Sequence, residues 1–172
     1  MSVISPLVTI PVGVLVERSK GAGPWSEYFW RPVTVLSGVP DTPAWTQLSD
    51  DGERARFYAG AADIELYRSE TSNYRDNLMA EAPLLWVALY PNDADQPFGL
   101  VVVTADPAEG EAWVAMPGIV VDSVPMPAAI GESVAAFVSE HHVERAFSKR
   151  KRDRPDPEAM GRRKPQGQDG KP

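Results

Sequence analysis

Segments that alternate apolar and polar residues follow one another along most of this chain, and they constrain the fold more than any other feature. Residues 8–18 place Val and Ile side chains on every second position, and residues 54–68 form the longest such segment. Parallel neighbours in a sheet need crossover connections of about a dozen residues or more. The strands come mostly in sequence, and the loops are too short for helical crossovers until residue 106. This order predicts an α+β fold with a mostly antiparallel sheet.

The pattern predicts about five strands and two or three helices. The strands are predicted at residues 8–18, 32–36, 54–68, 84–90 and 98–105. The apolar positions of 54–68 change from odd to even numbers at Gly60-Ala61-Ala62, which indicates a β-bulge. Helices are predicted at 69–79, capped by Thr71 or Ser69, and from Asp106-Pro107 onward. The longest helix follows Pro127 and carries a stripe of apolar side chains.

Charge divides the chain into a predicted domain, residues 1–146, and a predicted disordered basic tail, residues 147–172. The net charge is −7, but the tail alone carries nine basic and four acidic residues, a net +5. The remainder is therefore −12, which repels nucleic acid and anionic membranes, whereas the tail attracts both. We expect no membrane partner, and nucleic acid is the less favoured partner.

Composition excludes several classes of protein. The chain has no cysteine, so it forms no disulfide and has no thiolate metal ligand or thiol nucleophile. No apolar run reaches the length of a bilayer-spanning helix. Residues 8–16 are apolar, but their alternation is typical of a strand rather than of a signal peptide. We therefore expect a cytoplasmic protein.

Three motifs suggest chemistry, and each has a plainer interpretation. His141 and His142 are neighbours, which point about 100° apart on a helix, so packing is favoured over a shared metal. Asp63 and Glu65 can divide acid and base work or form a polar ladder against Arg54, Arg56 or Arg68. The glycines at 21 and 23 lack the spacing of a phosphate-binding loop. We predict no catalytic residue, metal ligand or cofactor.

Two segments carry the residue types that dominate protein recognition. Four aromatic residues lie within 25–30, next to Arg31, and a dense basic run occupies 149–154. Trp, Tyr and Arg are enriched at binding hot spots, although core packing and a solvated tail are the alternatives. The predicted partner-binding residues are Trp25, Tyr28, Trp30, Arg31, Lys149, Arg150, Lys151 and Arg152.

Several stretches, taken in order, resemble a bacterial family of proteins, domain-of-unknown-function family 3305. The resemblance covers about residues 8–154. The stretches are Val12–Arg18, Pro24–Trp25, Trp30–Val33, Tyr58–Leu66, Tyr74–Leu78, Val124–Pro127, His141–Glu144 and Phe147–Arg154.

Members of that family typically lie beside formate dehydrogenase genes, and some are labelled molybdopterin-guanine dinucleotide biosynthesis protein A. The resemblance implies a non-catalytic accessory protein for maturation or assembly of a formate-dehydrogenase-type molybdoenzyme. Its partner would be a formate dehydrogenase subunit or a maturation factor. One alternative is a nucleotidyltransferase of molybdopterin guanine dinucleotide synthesis, with Asp63 and Glu65 holding Mg²⁺. The other is a nucleic-acid-binding regulator that uses the basic tail.

Overall fold

Two long strands form the centre of the first sheet. The computed structural model describes residues 4–23 and 27–143. Strand β1 (Val8–Lys20) pairs antiparallel with β2 (Tyr28–Leu36) on one side and with β4 (Arg54–Leu66) on the other. The short strand β3 (Thr46–Asp50) pairs with β4, so the order across the sheet is β2-β1-β4-β3.

A second antiparallel sheet and three helices complete the described fold. Strand β5 (Leu84–Tyr90) lies between β6 (Leu100–Thr104) and β7 (Val120–Pro125). The helices are α1 (Thr71–Met79), α2 (Pro107–Val114) and α3 (Ala128–His141), with a 3-10 turn at Arg68–Glu70 before α1. The predicted α+β class, the antiparallel pairing and the position of the longest helix are confirmed. The described residues hold seven strands in two sheets, whereas about five strands in one sheet were predicted.

The β-bulge predicted in the long strand is present. The pairing of β1 with β4 passes from Val14–Gly60 to Leu15–Tyr58, which leaves Ala59 as the extra residue. Gly60 has a φ of 119°, a backbone conformation that glycine adopts without a steric penalty. The insertion exchanges the two faces of the strand, as the change in apolar positions predicted.

The core lies between the two sheets and α3. Val12, Val14 and Val16 contribute from β1, residues 85, 87 and 89 from β5, and residues 130, 134 and 137 from α3. Cα atoms of β2 approach those of β7 within 8 Å, and so do those of β4 and β6. Sheets stacked face to face lie about 10 Å apart. The edge strand β2 of the first sheet therefore lies close to the edge strand β7 of the second, and the inner strand β4 lies close to the edge strand β6, while residues of both sheets contribute to the core.

The helix starts were predicted with mixed success. Asp106 caps α2, because its side chain accepts a hydrogen bond from the backbone N–H of Ala108 and Pro107 occupies the first turn, as predicted. The prediction that Thr71 or Ser69 caps α1 is wrong. The N-cap is Glu70, without a side-chain capping bond, and the Thr71 hydroxyl donates to the Arg68 carbonyl instead.

The basic tail falls outside the described structure. The chain divides into two units, Met1–His142 and Val143–Pro172, and all described residues except Val143 belong to the first. The predicted domain end at 146 and the predicted disorder of 147–172 concern residues beyond those described. None of the described helices is long and apolar enough to cross a membrane.

Candidate functional site

The two faces of β2 carry different parts of the predicted aromatic segment. Side chains alternate along a strand, so Tyr28 and Trp30 point to one face, whereas Phe29 and Arg31 point to the other. Register with β1 places Arg18 opposite Trp30 and Glu17 opposite Arg31. The start of β2 therefore presents an inner and an outer group of side chains.

The inner group is an aromatic cluster of Trp30, Trp45, Phe57 and Phe98. The Trp30 indole lies edge-on to Trp45 at 6.0 Å and to Phe98 at 5.6 Å between ring centroids, and it contacts Phe57 at 5.4 Å. Edge-to-face geometry is favourable for aromatic pairs, and Trp30 packs against the core of the domain. The geometry thus favours a supporting role in packing for Trp30.

Arg18 covers this cluster. Its guanidinium carbon lies 4.4 Å from the centroid of the Tyr28 ring, 5.3 Å from Phe57 and 5.8 Å from Trp30. These are cation–π distances. Within residues 4–23 and 27–143, the buried Nε of Arg18 has no hydrogen-bond acceptor. The half-exposed ring of Tyr28 is therefore stacked on the Arg18 guanidinium, which the rings of Trp30 and Phe57 also contact.

The outer group, which we call the arginine face, consists of Phe29, Arg31, Arg54 and Arg56 around the buried Glu17. Arg31 donates to one Glu17 carboxylate oxygen at 3.0 Å, and the Nε of Arg56 donates to the other at 3.2 Å. The Glu17 side chain is 3% exposed, whereas those of Arg31 and Arg56 are 58% and 57% exposed. One buried carboxylate thus joins three strands through two solvent-facing guanidinium groups.

Electrostatics keep this carboxylate ionised. Burial by itself would raise the pKa of Glu17, but the hydrogen bonds from Arg31 and Arg56 and the nearby charge of Arg54 outweigh it. The pKa of Glu17 is therefore held below its ordinary value.

Positive charge is concentrated around this part of the fold. Residues 4–23 and 27–143 contain seven Lys and Arg residues, of which five lie on β1, β2 and β4: Arg18, Lys20, Arg31, Arg54 and Arg56. Residues 76–143, which include the second sheet, α2 and α3, contain ten acidic residues and no Lys or Arg. The surface around β2 is therefore the cationic part of an otherwise acidic domain.

The predicted partner-binding residues divide into described and undescribed groups. Tyr28 is half exposed, Arg31 is on the arginine face, and Trp30 points into the aromatic cluster. Trp25 and the run Lys149–Arg152 lie outside the described residues. Sequence reasoning missed Arg18 and Glu17, although a charged pair at the end of an apolar alternation was a signal available in the sequence.

The Asp63/Glu65 pair does not form the predicted ladder with arginines. Opposite these residues on β1 lie Pro11 and Thr9. The Tyr67 hydroxyl instead donates to Glu65 at 2.5 Å. This hydrogen bond, together with burial and the negative charge of nearby carboxylates, raises the pKa of Tyr67 to about 12.

An acidic cleft of about 500 Å³ lies beside Tyr67, at the start of α2. It is lined by Ile4, Tyr67, Ser69, Glu70, Tyr74, Asp106 and Glu109. Its carboxylates already have partners, because the Asn73 amide bridges Glu70 and Asp106, and Thr104 donates to Glu109. Among the described residues, no group of three or more His, Cys, Asp or Glu side chains is arranged to hold a metal ion.

The two histidines have separate surroundings. The His141 ring packs on Phe137, with centroids 4.6 Å apart. The ring nitrogens of His142 lie 3.2 Å from the Thr71 hydroxyl and 3.3 Å from an Arg75 guanidinium nitrogen. Since the guanidinium can only donate, Nε2 of His142 accepts that bond. His142 therefore joins the end of α3 to α1, as part of the packing of the domain.

Residues 11–151 match the family described as "Protein of unknown function (DUF3305)". The chain belongs to this family. The match to the DUF3305 family includes every described strand and helix from Pro11 onward, and it confirms the resemblance noted in the sequence. Neither the curated proteins nor the solved structures contain a match to this DUF3305 chain.

Proposed function

We propose that this DUF3305 protein is a non-catalytic accessory protein that binds a protein partner through the start of β2. The observation that carries the proposal is the pair Tyr28 and Phe29, whose residues are 50% and 63% exposed and point to opposite faces of the strand. The Tyr28 ring lies against Arg18, and Phe29 is two residues from Arg31 on the same face of β2. Exposed aromatic and arginine side chains of this kind dominate protein interfaces.

The residues at the start of β2 are held in place by neighbouring side chains, which also favours this surface as the binding site. The aromatic cluster fixes Trp30, which follows the two exposed residues in β2, and the hydrogen bond to Glu17 fixes Arg31. A binding surface that is already ordered loses little conformational entropy when the partner arrives. The start of β2 is therefore better suited to stable binding than isolated apolar side chains such as Met79.

The partner in this proposal is a formate dehydrogenase subunit or a factor that matures the enzyme, in the cytoplasm. The support is the sequence resemblance, since members of the family it points to typically lie beside formate dehydrogenase genes. The basic run Lys149–Arg152 supplies positive charge, which mainly accelerates association with an acidic partner rather than strengthening the bound state.

Retention of the partner tests this function. The tagged full-length chain is co-expressed with formate dehydrogenase, and the amount of enzyme that co-purifies is measured. Replacing Tyr28 and Phe29 together by Ala should reduce retention about tenfold or more, since hot-spot truncations cost about 2 kcal/mol or more. The matched control replaces Met79 and Val114, two exposed apolar side chains on α1 and α2, by Ala.

The control variant should retain the enzyme as wild type does, and all variants should keep the wild-type melting temperature. If the wild-type chain retains no formate dehydrogenase, the proposed partner is wrong. If the Tyr28/Phe29 variant retains as much enzyme as the control, the proposed surface is wrong.

A further inference from the structure

We infer that the arginine face binds an acidic segment of the partner, one that carries at least two carboxylate side chains. This inference rests on the proposed function, because it names the chemistry of the partner at the same surface. It concerns Arg31, Arg54 and Arg56, which lie on the outer face of the first sheet around Glu17.

The charges on this face do not balance. Three guanidinium groups surround the Glu17 carboxylate, and Arg54 also lies near the Asp51 carboxylate, which leaves an excess of one positive charge. A guanidinium has five N–H donors, whereas the Glu17 carboxylate takes one hydrogen bond from Arg31 and one from Arg56. More than half of each of these two side chains is exposed. The face therefore offers directed donors to a further carboxylate, with geometry suited to bidentate pairing.

Strand geometry sets the number of carboxylates. Arg31 is on β2 and Arg56 is on β4, with β1 between them. Neighbouring strands lie about 4.8 Å apart, so the two backbones are separated by roughly 10 Å. The Glu17 carboxylate already lies between their guanidinium groups and accepts one hydrogen bond from each, so a further carboxylate pairs with the remaining donors of one arginine. The partner therefore needs separate acidic side chains for the two arginines.

The distribution of charge in the rest of the domain also favours binding of an acidic segment at the arginine face. Residues 76–143 have ten acidic residues and no Lys or Arg, so that side of the protein repels an acidic segment. Phe29, on the same face as Arg31, supplies an apolar contact at the edge of the charged group. An acidic segment with an apolar residue fits this combination.

Binding of a fluorescein-labelled oligoglutamate peptide tests the inference by anisotropy. The protein is the full chain with Lys149, Arg150, Lys151 and Arg152 replaced by Gln, so that the basic run does not bind the probe. In this background, Arg31→Gln and Arg56→Gln should each weaken binding about tenfold, the loss of one charge-assisted contact. The control Arg68→Gln, an exposed arginine outside this face, should change the Kd less than about twofold.

The outcomes separate the inference from the proposed function. If Arg31→Gln and Arg56→Gln bind the peptide as Arg68→Gln does, the inference is overturned. It is also overturned if inorganic pyrophosphate binds with the same dependence on these arginines while oligoglutamate does not bind, because the ligand is then a phosphate. If binding of the peptide depends on the arginines and formate dehydrogenase is not retained, the inference holds and the named partner is wrong. If enzyme retention depends on Tyr28 and Phe29 but not on the arginines, the function holds and the inference fails.

Discussion

The Trp30 indole packs edge-on against the Phe98 ring, with centroids 5.6 Å apart and planes at 88°. Trp30 belongs to β2 in the first sheet, whereas Phe98 lies two residues before β6 in the second. The contact joins segments of both sheets beneath the proposed binding surface. It also separates Trp30 from its neighbour Phe29, which points to the opposite face.

Trp30→Ala should therefore destabilise the domain by about 3 kcal/mol, near the lower end of the range for a large aromatic side chain because Trp30 is half buried. Phe29→Ala is the matched control and should change the free energy of unfolding by less than about 0.5 kcal/mol. Urea unfolding measures both values. Equal stability of the two variants would remove Trp30 from the packing and assign it to the surface.

Replacing Asn77, a buried polar residue, should destabilise the domain about as much as Trp30→Ala does. Its amide nitrogen donates to the carbonyls of Leu84 and Ala105 at 2.8 and 2.9 Å, and its carbonyl accepts the Leu84 N–H at 3.0 Å. Asn77→Ala leaves three backbone groups without these partners, which should cost about 3 kcal/mol or more. Asn77→Asp keeps the shape but loses both donors, and it should be destabilised similarly. A wild-type melting temperature for the aspartate variant would contradict this account.

Stability should depend on Glu17 at acidic pH. Its folded pKa is lowered, so the unfolded chain binds a proton more readily, and the contribution of Glu17 is present above the ordinary carboxyl pKa. That contribution is lost as the pH falls through the lowered value. Glu17→Gln should destabilise the domain by about 2 kcal/mol at neutral pH and reduce the loss of stability below pH ~4.5. An equal dependence of the unfolding free energy on pH in the variant and in wild type would contradict the lowered pKa of Glu17.

The Tyr67 hydroxyl should lose its proton at a higher pH than an ordinary tyrosine, because it donates a hydrogen bond to Glu65. The pKa of Tyr67 is raised to about 12, with the hydrogen bond to Glu65 as the first cause. A raised pKa means that the stabilisation is present below the ordinary tyrosine value and is lost as the pH rises through about 12. Glu65→Gln should return the Tyr67 pKa toward 10, as followed by NMR of labelled tyrosine. Tyr67→Phe assigns the signal, and an unchanged pKa in Glu65→Gln would refute the pairing.

Local patterns predicted much of the fold. The alternation of residues 8–18 predicted β1, and the Asp-Pro pair predicted the start of α2. The change of phase predicted a bulge at residues 60–62, and the extra residue is the adjacent Ala59. These features depend on neighbouring residues only, so one sequence is sufficient to find them. Strand β3 was missed because Thr46–Asp50 contains one apolar residue, Leu48, and is mostly exposed.

The candidate site was predictable only in part, because its contacts join distant segments. Arg31 was found through its aromatic neighbours, but its carboxylate Glu17 is 14 residues away, and Arg56 is 39 residues from Glu17. The sequence shows such pairs only after strand order and register are known. Trp30 and Phe29 were not assigned to opposite faces for a different reason, because the strand was predicted to begin at residue 32, whereas β2 begins at Tyr28.

Hydrogen–deuterium exchange tests the central claim, that a partner binds at the start of β2, most directly. Exchange of the full-length chain is followed by mass spectrometry with and without purified formate dehydrogenase. The account predicts slower exchange in peptides that cover Tyr28–Pro32 and Arg54–Phe57, with no change in α2 and β6. Unchanged exchange throughout the chain, or protection confined to residues 100–116, would contradict it.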